Sequence, residues 1–121
     1  MAKDVQQYKV DRVEAVKTAI EEYQNFYFSD YRGLSVGEIT ELRNQLREKQ
    51  ARFVIVKNRF TKIALRELGH EVVDDCLVGP TALALVRDDY TGVSKVLLDF
   101  GRNTTVKMKG GYIDGKVVDV Q

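Results

Sequence analysis

Apolar positions recur along the chain with two spacings, and together they predict helices and strands in alternation. Val10, Val13, Val16, Ile20 and Tyr23 fall at helical intervals, so an amphipathic helix of roughly four turns opens the chain. Lys9, Arg12, Glu14, Lys17, Glu21 and Glu22 form its outer face. Asn25 interrupts it, and NFYFSDY reads as an aromatic-rich strand. Phe26 and Phe28 point to one face of that strand, into the core, with Tyr27 and Tyr31 nearer the other. Arg32-Gly33-Leu34 ends the strand, with Gly33 free to take a positive φ. SVGE from Ser35 is a capping-box pattern. Val36, Ile39, Leu42 and Leu46 then form the buried stripe of a second helix, closed by Gln50. Arg43 and Arg47 stand on its solvent side, one turn apart.

The next stretch organises the rest. Phe53 to Val56 is an unbroken apolar run, short enough for a strand buried on both faces. Lys57 follows, and Asn58 is expected to cap a helix that begins at Arg59. Phe60, Ile63, Ala64 and Leu68 share one face of that helix; Arg59, Lys62 and Arg66 share another. A strand end thus hands over to a helix start ringed by cations, where backbone N–H groups already favour anions. This surface reads two ways: a phosphate-binding platform for nucleic acid, or the solvated basic face of an amphipathic helix.

Gly69 reads as the C′ residue of this helix. Gly79-Pro80 makes a rigid turn into a strand over Ala82 to Val86. Asp88 or Asp89 caps a fourth helix with Tyr90, Val93, Val96, Leu97 and Phe100 inward, and Gly101 stops it. Thr104 to Met108 reads as a strand broken by Lys109-Gly110-Gly111. Asp114-Gly115 is a two-residue hairpin turn between YI and KVVDV. The first strand–helix–strand unit implies a right-handed crossover between parallel strands. Two such units with a helix between them predict an α+β fold: a ferredoxin-like split βαβ sandwich with an extra N-terminal helix and an inserted helix. A small doubly wound sheet competes with it.

The 121 residues fit one domain, and 44% hydrophobic content is globular. Net charge is only +1, yet the charges are segregated. Arg43, Arg47, Lys49, Arg52, Lys57, Arg59, Lys62 and Arg66 are opposed only by Glu48 across their stretch. From Glu67 to Asp99, acids dominate, with only Arg87 and Lys95 against them. Such a chain can attract phosphate locally without being basic everywhere.

Catalytic chemistry is scarce. Cys76 is the only cysteine, so no internal disulfide forms, and a small buried hydrophobe describes it best. His70 stands alone as histidine and cannot build a His/Cys metal site. Asp74 and Asp75 are adjacent and read as solvated acids. There is no P-loop and no G-x-G-x-x-G, and neither cofactor nor metal is expected. No run approaches the ~20 apolar residues of a membrane span, and the N-terminus lacks an apolar signal core. A cytosolic, non-enzymatic protein is expected.

Five blocks in register carry a resemblance. DYRGL at Asp30–Leu34, LRNQLR in the second helix, IVKN at Ile55–Asn58, VGPTA at Val78–Ala82 and KGG at Lys109–Gly111 resemble the bacterial ribosomal "L ten" family. These are the stalk-base proteins of the large subunit, homologous to the P-zero protein. The resemblance runs from about Val10 to Val118. It implies a non-catalytic domain that docks on large-subunit rRNA at the GTPase-associated centre, beside the stalk-base protein "L eleven". In the family, a following helix recruits dimers of the acidic stalk protein "L seven/L twelve", which attract translational GTPases, and some members repress their own mRNA. The chain given stops at Gln121, before that helix, so recruitment of stalk dimers is not expected of it. Carried onto this sequence, the motifs assign the rRNA surface to Arg32, Gly33, Lys57, Asn58, Arg59 and Lys62, extended by Arg43 and Arg47. VGPTA is left out as a structural turn, and Lys109 could reach RNA. Arg59-Phe60 stands where the family often has Thr-Leu. A tail-less paralogue acting in ribosome assembly, and a protein-interaction domain with a basic face, are the alternatives.

Overall fold

The computed structural model describes residues 2–70 and 77–119. In chain order these form α1 (Ala2–Tyr23), β1 (Asn25–Asp30), α2 (Val36–Glu48), β2 (Arg52–Val56), α3 (Asn58–Glu67), β3 (Thr81–Val86), α4 (Tyr90–Asn103), β4 (Lys107–Ile113) and β5 (Lys116–Asp119). The strands make one sheet in the order β2-β3-β1-β4-β5, and every neighbouring pair is antiparallel. Since β1 and β2 both run against β3, they are parallel to each other with β3 between them. β3 and β4 are likewise parallel across β1. These two interleaved units are the expected split βαβ arrangement, with α3 as the inserted helix and β5 added by a hairpin. A doubly wound sheet, which needs parallel neighbours, is excluded.

Alternation along the strands divides the core in two. Phe26, Phe28, Leu83, Leu85 and Tyr112 face Ile20 of α1 and Leu65 of α3. Tyr27, Phe53, Ala82, Ala84 and Val86 face Leu42 and Leu46 of α2 and Val93 and Leu97 of α4. Helices therefore cover both faces. β3, between β2 and β1, is buried at all six positions, and the β1 aromatics Phe26, Tyr27 and Phe28 are buried beside it.

The capping box is formed: Glu38 N donates to Ser35 Oγ at 3.1 Å and Ser35 N to Glu38 Oε1 at 2.9 Å. Asp89 caps α4 by accepting from Gly92 N at 3.0 Å. α3 closes in a Schellman pattern, with Gly69 at φ +79° and His70 N donating to Leu65 O at 2.9 Å. The hairpin pairs Ile113 with Lys116 around Asp114-Gly115, as expected.

Other expectations need correction. α1 begins well before Val10, which is exposed, and the break after it falls at Gln24, at φ +71°, with Asn25 already in β1. Val36, the first residue of α2, is 84% exposed. β2 is not buried on both faces: it is an edge strand, and Ile55 is 43% exposed. In α3 the buried set is Phe60, Thr61, Ala64 and Leu65, with Ile63 turned outward. That helix packs on α1, so its inner face is set by its neighbour. Tyr90 is exposed at the start of α4.

Gly101 does not stop α4 but lies inside it, where a Cβ would come within 2.8 Å of Val106 O. Residues 104–106 are not strand; β4 starts at Lys107 and runs through the two glycines. Phe28 pairs with Gly110 and Ser29 with Met108, so Lys109 is the extra residue of a bulge. The sequence block KGG is thus a bulge inside a strand rather than its end. The expectations for Asp74, Asp75 and Cys76 lie outside the described residues.

Candidate nucleic-acid interface

The ends of four strands meet on one side of the sheet. There Val56 pairs with Thr81, Ser29 with Ala82, and Asp30 with Lys107. The chain leaves β2 through Lys57 straight into α3. Lys57 is itself the N-cap residue, extended at φ −88° and ψ 130°, with no side-chain cap bond. Asn58 is therefore not the cap, as its residue type predicts, but the first helical residue. Its amide side chain instead reaches across to the next strand: Nδ2 donates to Gly79 O at 2.8 Å, tying α3 to the turn before β3.

The cations at this helix start are held by an aromatic ring. Lys57 Nζ lies 5.7 Å from the centroid of Phe60, and Arg59 Cζ lies 5.5 Å from it. Phe60 is buried while both cations are exposed, so the ring fixes the stems and leaves the charges in water. Neither forms an ion pair among the described residues. Arg59 thus supplies a second charge on the same ring. Lys62 differs: it is half-buried and engaged within the chain.

Arg32 and Gly33 sit beside this group. Asp30 Oδ1 accepts from Arg32 N at 2.8 Å, and Arg32 O accepts from Thr105 Oγ1. Gly33 has φ +84°, and a Cβ there would come within 2.8 Å of Thr105 Oγ1. Both facts require glycine. A Cβ at Gly79 would meet the Arg32 guanidinium at 2.8 Å, so Arg32 and Asn58 converge on one turn. Lys109 joins them, its Nζ donating to Val78 O at 2.8 Å and Thr81 Oγ1 at 3.0 Å. The bulge is what aims it there. The turn at Val78–Pro80, set aside as merely structural, is the hub of this end of the sheet.

Arg43 and Arg47 lie elsewhere, along the outer edge of β2. Arg43 Nε donates to Phe53 O at 3.3 Å. With Arg52 these arginines line a hollow of about 350 Å³. A second hollow, of about 590 Å³, lies on the other side of β2, against α1. Arg52 lines both, and Lys57 lines the larger, so the edge of β2 joins the two cationic groups. Sequence reasoning passed over Arg12 and Arg52 as site residues. For Arg52 the signal was available: it alternates with Val54 and Val56 and so shares their face. Among the described residues, no group of three His, Cys, Asp or Glu side chains could hold a metal, and no helix is long and apolar enough to cross a membrane.

The family model described as "Ribosomal protein L10" matches residues 4–101. The chain is 37% identical over 119 residues to the large ribosomal subunit protein uL10 of Borreliella afzelii, covering 98% of this chain and 74% of that protein. It is 42% identical over 108 residues to the uL10 of Roseiflexus castenholzii, covering 88% of this chain and 58% of the other. Identity reaches 43% over 108 residues with the uL10 of Roseiflexus sp., with the same coverage.

Proposed function

The chain belongs to the ribosomal protein L10 family, and from that premise we propose that the cationic start of α3 is its docking surface for large-subunit rRNA. Membership makes it a structural, non-enzymatic protein of the large ribosomal subunit, and so of the cytoplasm with the ribosome. The observation that carries the surface assignment is the pair Lys57 and Arg59, braced on Phe60 and exposed beside an uncapped helix start. Cations and first-turn N–H groups together suit phosphate oxygens, which position a protein on folded RNA.

The remaining residues take graded parts in this reading. Arg32 and the close-approaching backbone at Gly33 extend the surface at the strand ends. Asn58 acts through the Gly79 turn that it holds. Arg43 and Arg47 continue the contact along β2, while Lys62, already engaged, contributes field rather than a direct bond. The whole chain acts as one rRNA-binding domain at the stalk base, beside the protein "L eleven". Stalk dimers of "L seven/L twelve" belong in the family to a helix following this domain.

The test is titration of the chain with a stalk-base rRNA fragment at two salt concentrations, against a scrambled RNA of equal length. Selective binding that weakens steeply with salt is expected, because each neutralised phosphate contributes about 0.7–0.9 to the logarithmic slope. Equal binding to both RNAs would contradict the assignment.

A further inference from the structure

The larger hollow beside β2 has features that phosphate attraction does not require. Its volume of about 590 Å³ falls in the range of about 300–1,000 Å³ seen in small-molecule sites. Its floor is aliphatic, built from Val16 of α1, Val54 and Val56 of β2, and Leu83 of β3. It is open because β2 is the sheet edge, while α1 packs over α3, β1 and β3. At the α3 end, Tyr8 meets Phe60 edge to face at 6.5 Å between centroids. Three exposed cations stand at the mouth: Arg12, whose Cζ lies 5.1 Å from the Tyr8 centroid, with Arg52 and Lys57. No acid lines it among the described residues.

An apolar floor with aromatic walls and a cationic rim suits a ligand that is flat and apolar in one part and anionic immediately beside it. A nucleotide joins those properties within one unit. We propose, building on the rRNA reading above, that this hollow takes an unstacked nucleobase of the bound RNA, with Arg12, Arg52 and Lys57 holding the flanking phosphates. Lys57 belongs to both sites, so one RNA strand passing the start of α3 reaches the hollow without a break. Unpaired bases are the parts of an RNA that can be splayed out and stacked on aromatic or guanidinium planes. The floor offers no side-chain hydrogen-bonding group. The floor therefore reads that a base is unpaired, and by its size, and any hydrogen bond to a base edge falls to the Tyr8 and Tyr31 hydroxyls or the cations of the lining.

Ala15 lines the hollow from an exposed position on α1, so Ala15→Phe fills it without changing charge, and Ala15→Ser is the control that leaves it open. The probe is a set of stalk-base rRNA fragments, each with 2-aminopurine at one unpaired purine, titrated against the 121-residue chain across a salt series. With the parent, one labelled position changes fluorescence on binding. Ala15→Phe lowers affinity about tenfold or more, the worth of one stacked base, with an unaltered salt slope, and abolishes that change. Lys57→Ala flattens the slope yet keeps the fluorescence change at saturation. A folded Ala15→Phe chain that binds like the parent overturns the base pocket and leaves the hollow to a protein side chain. So does a parent that binds with no responsive position, which leaves the docking surface intact. A parent that binds none of the fragments overturns both.

Discussion

β3 and β2 are both short apolar strands, TALALV and RFVIV, and they are neighbours in one sheet, yet they do different work. β3 is buried at every position; in β2 only Phe53 is. Composition does not separate them. Place does: β3 lies between two strands, and β2 has a partner on one side only. β2 precedes β3 in the chain, yet β3 lies between it and β1, which leaves the earlier strand at the rim. On that rim Arg43 reaches the Phe53 carbonyl and covers part of the open edge, a common guard against pairing with another chain. Hollows open on both flanks, and cations gather there. One strand is buried in the core, and the other borders the surface proposed to meet RNA.

The contrast breaks most visibly in stability. Leu85→Ala in β3 removes a side chain buried to 0% exposure and should cost about 2–5 kcal/mol. Ile55→Ala in β2 should cost under about 1 kcal/mol. Urea unfolding of the two variants compares them directly, and equal losses would mean that β2 is covered in solution.

Gly111 tests the buried centre from its other side. A Cβ there would come within 2.5 Å of Phe26 O and 2.9 Å of the Tyr27 ring. Gly111→Ala should therefore destabilise by about 1–3 kcal/mol, as overpacking does, seen as a lowered urea midpoint with the slope retained.

A smaller effect appears at high pH. Burial raises the pKa of Tyr27 above 10.0, against a lowering contribution from a hydrogen bond with Ser94. The unfolded chain then loses the Tyr27 proton first, so stability is full below pH 10 and falls as pH rises through the folded pKa. Tyr27→Phe should remove that part of the alkaline decline, while forfeiting the bond from Tyr27 Oη to Tyr90 O at 3.1 Å. A parent and variant with the same alkaline slope would show that the ring is wetter than its packing implies.

Much of the fold was legible from spacing. The two faces of β1, the capping box at Ser35 and the hairpin at Asp114-Gly115 each follow from local rules, and the split βαβ order follows from the alternation of elements. Burial of β2 was not legible, because an unbroken apolar run looks the same at the centre and the rim of a sheet. Nor was the role of Asn58. Its side chain suits a cap, but Gly79, distant in sequence, offers the carbonyl it bonds. Lys109 and the Val78–Pro80 turn are alike in this: a motif marks both, and only the meeting of strand ends brings them together. The cations of the candidate site were legible as a basic run. Their bracing on Phe60 depended on the helix phase, and the inclusion of Arg12 depended on α1 crossing the sheet.

The most direct test of the central claim is the salt dependence of stalk-base rRNA binding by the Lys57→Ala/Arg59→Ala double variant. Both side chains are exposed and form no ion pair among the described residues, so the variant should melt within a degree or two of the parent. If this end of the molecule docks on RNA, its logarithmic salt slope should fall by about two, one for each phosphate contact removed. A folded double variant with the parent's affinity and slope would contradict the account and place the RNA on another face.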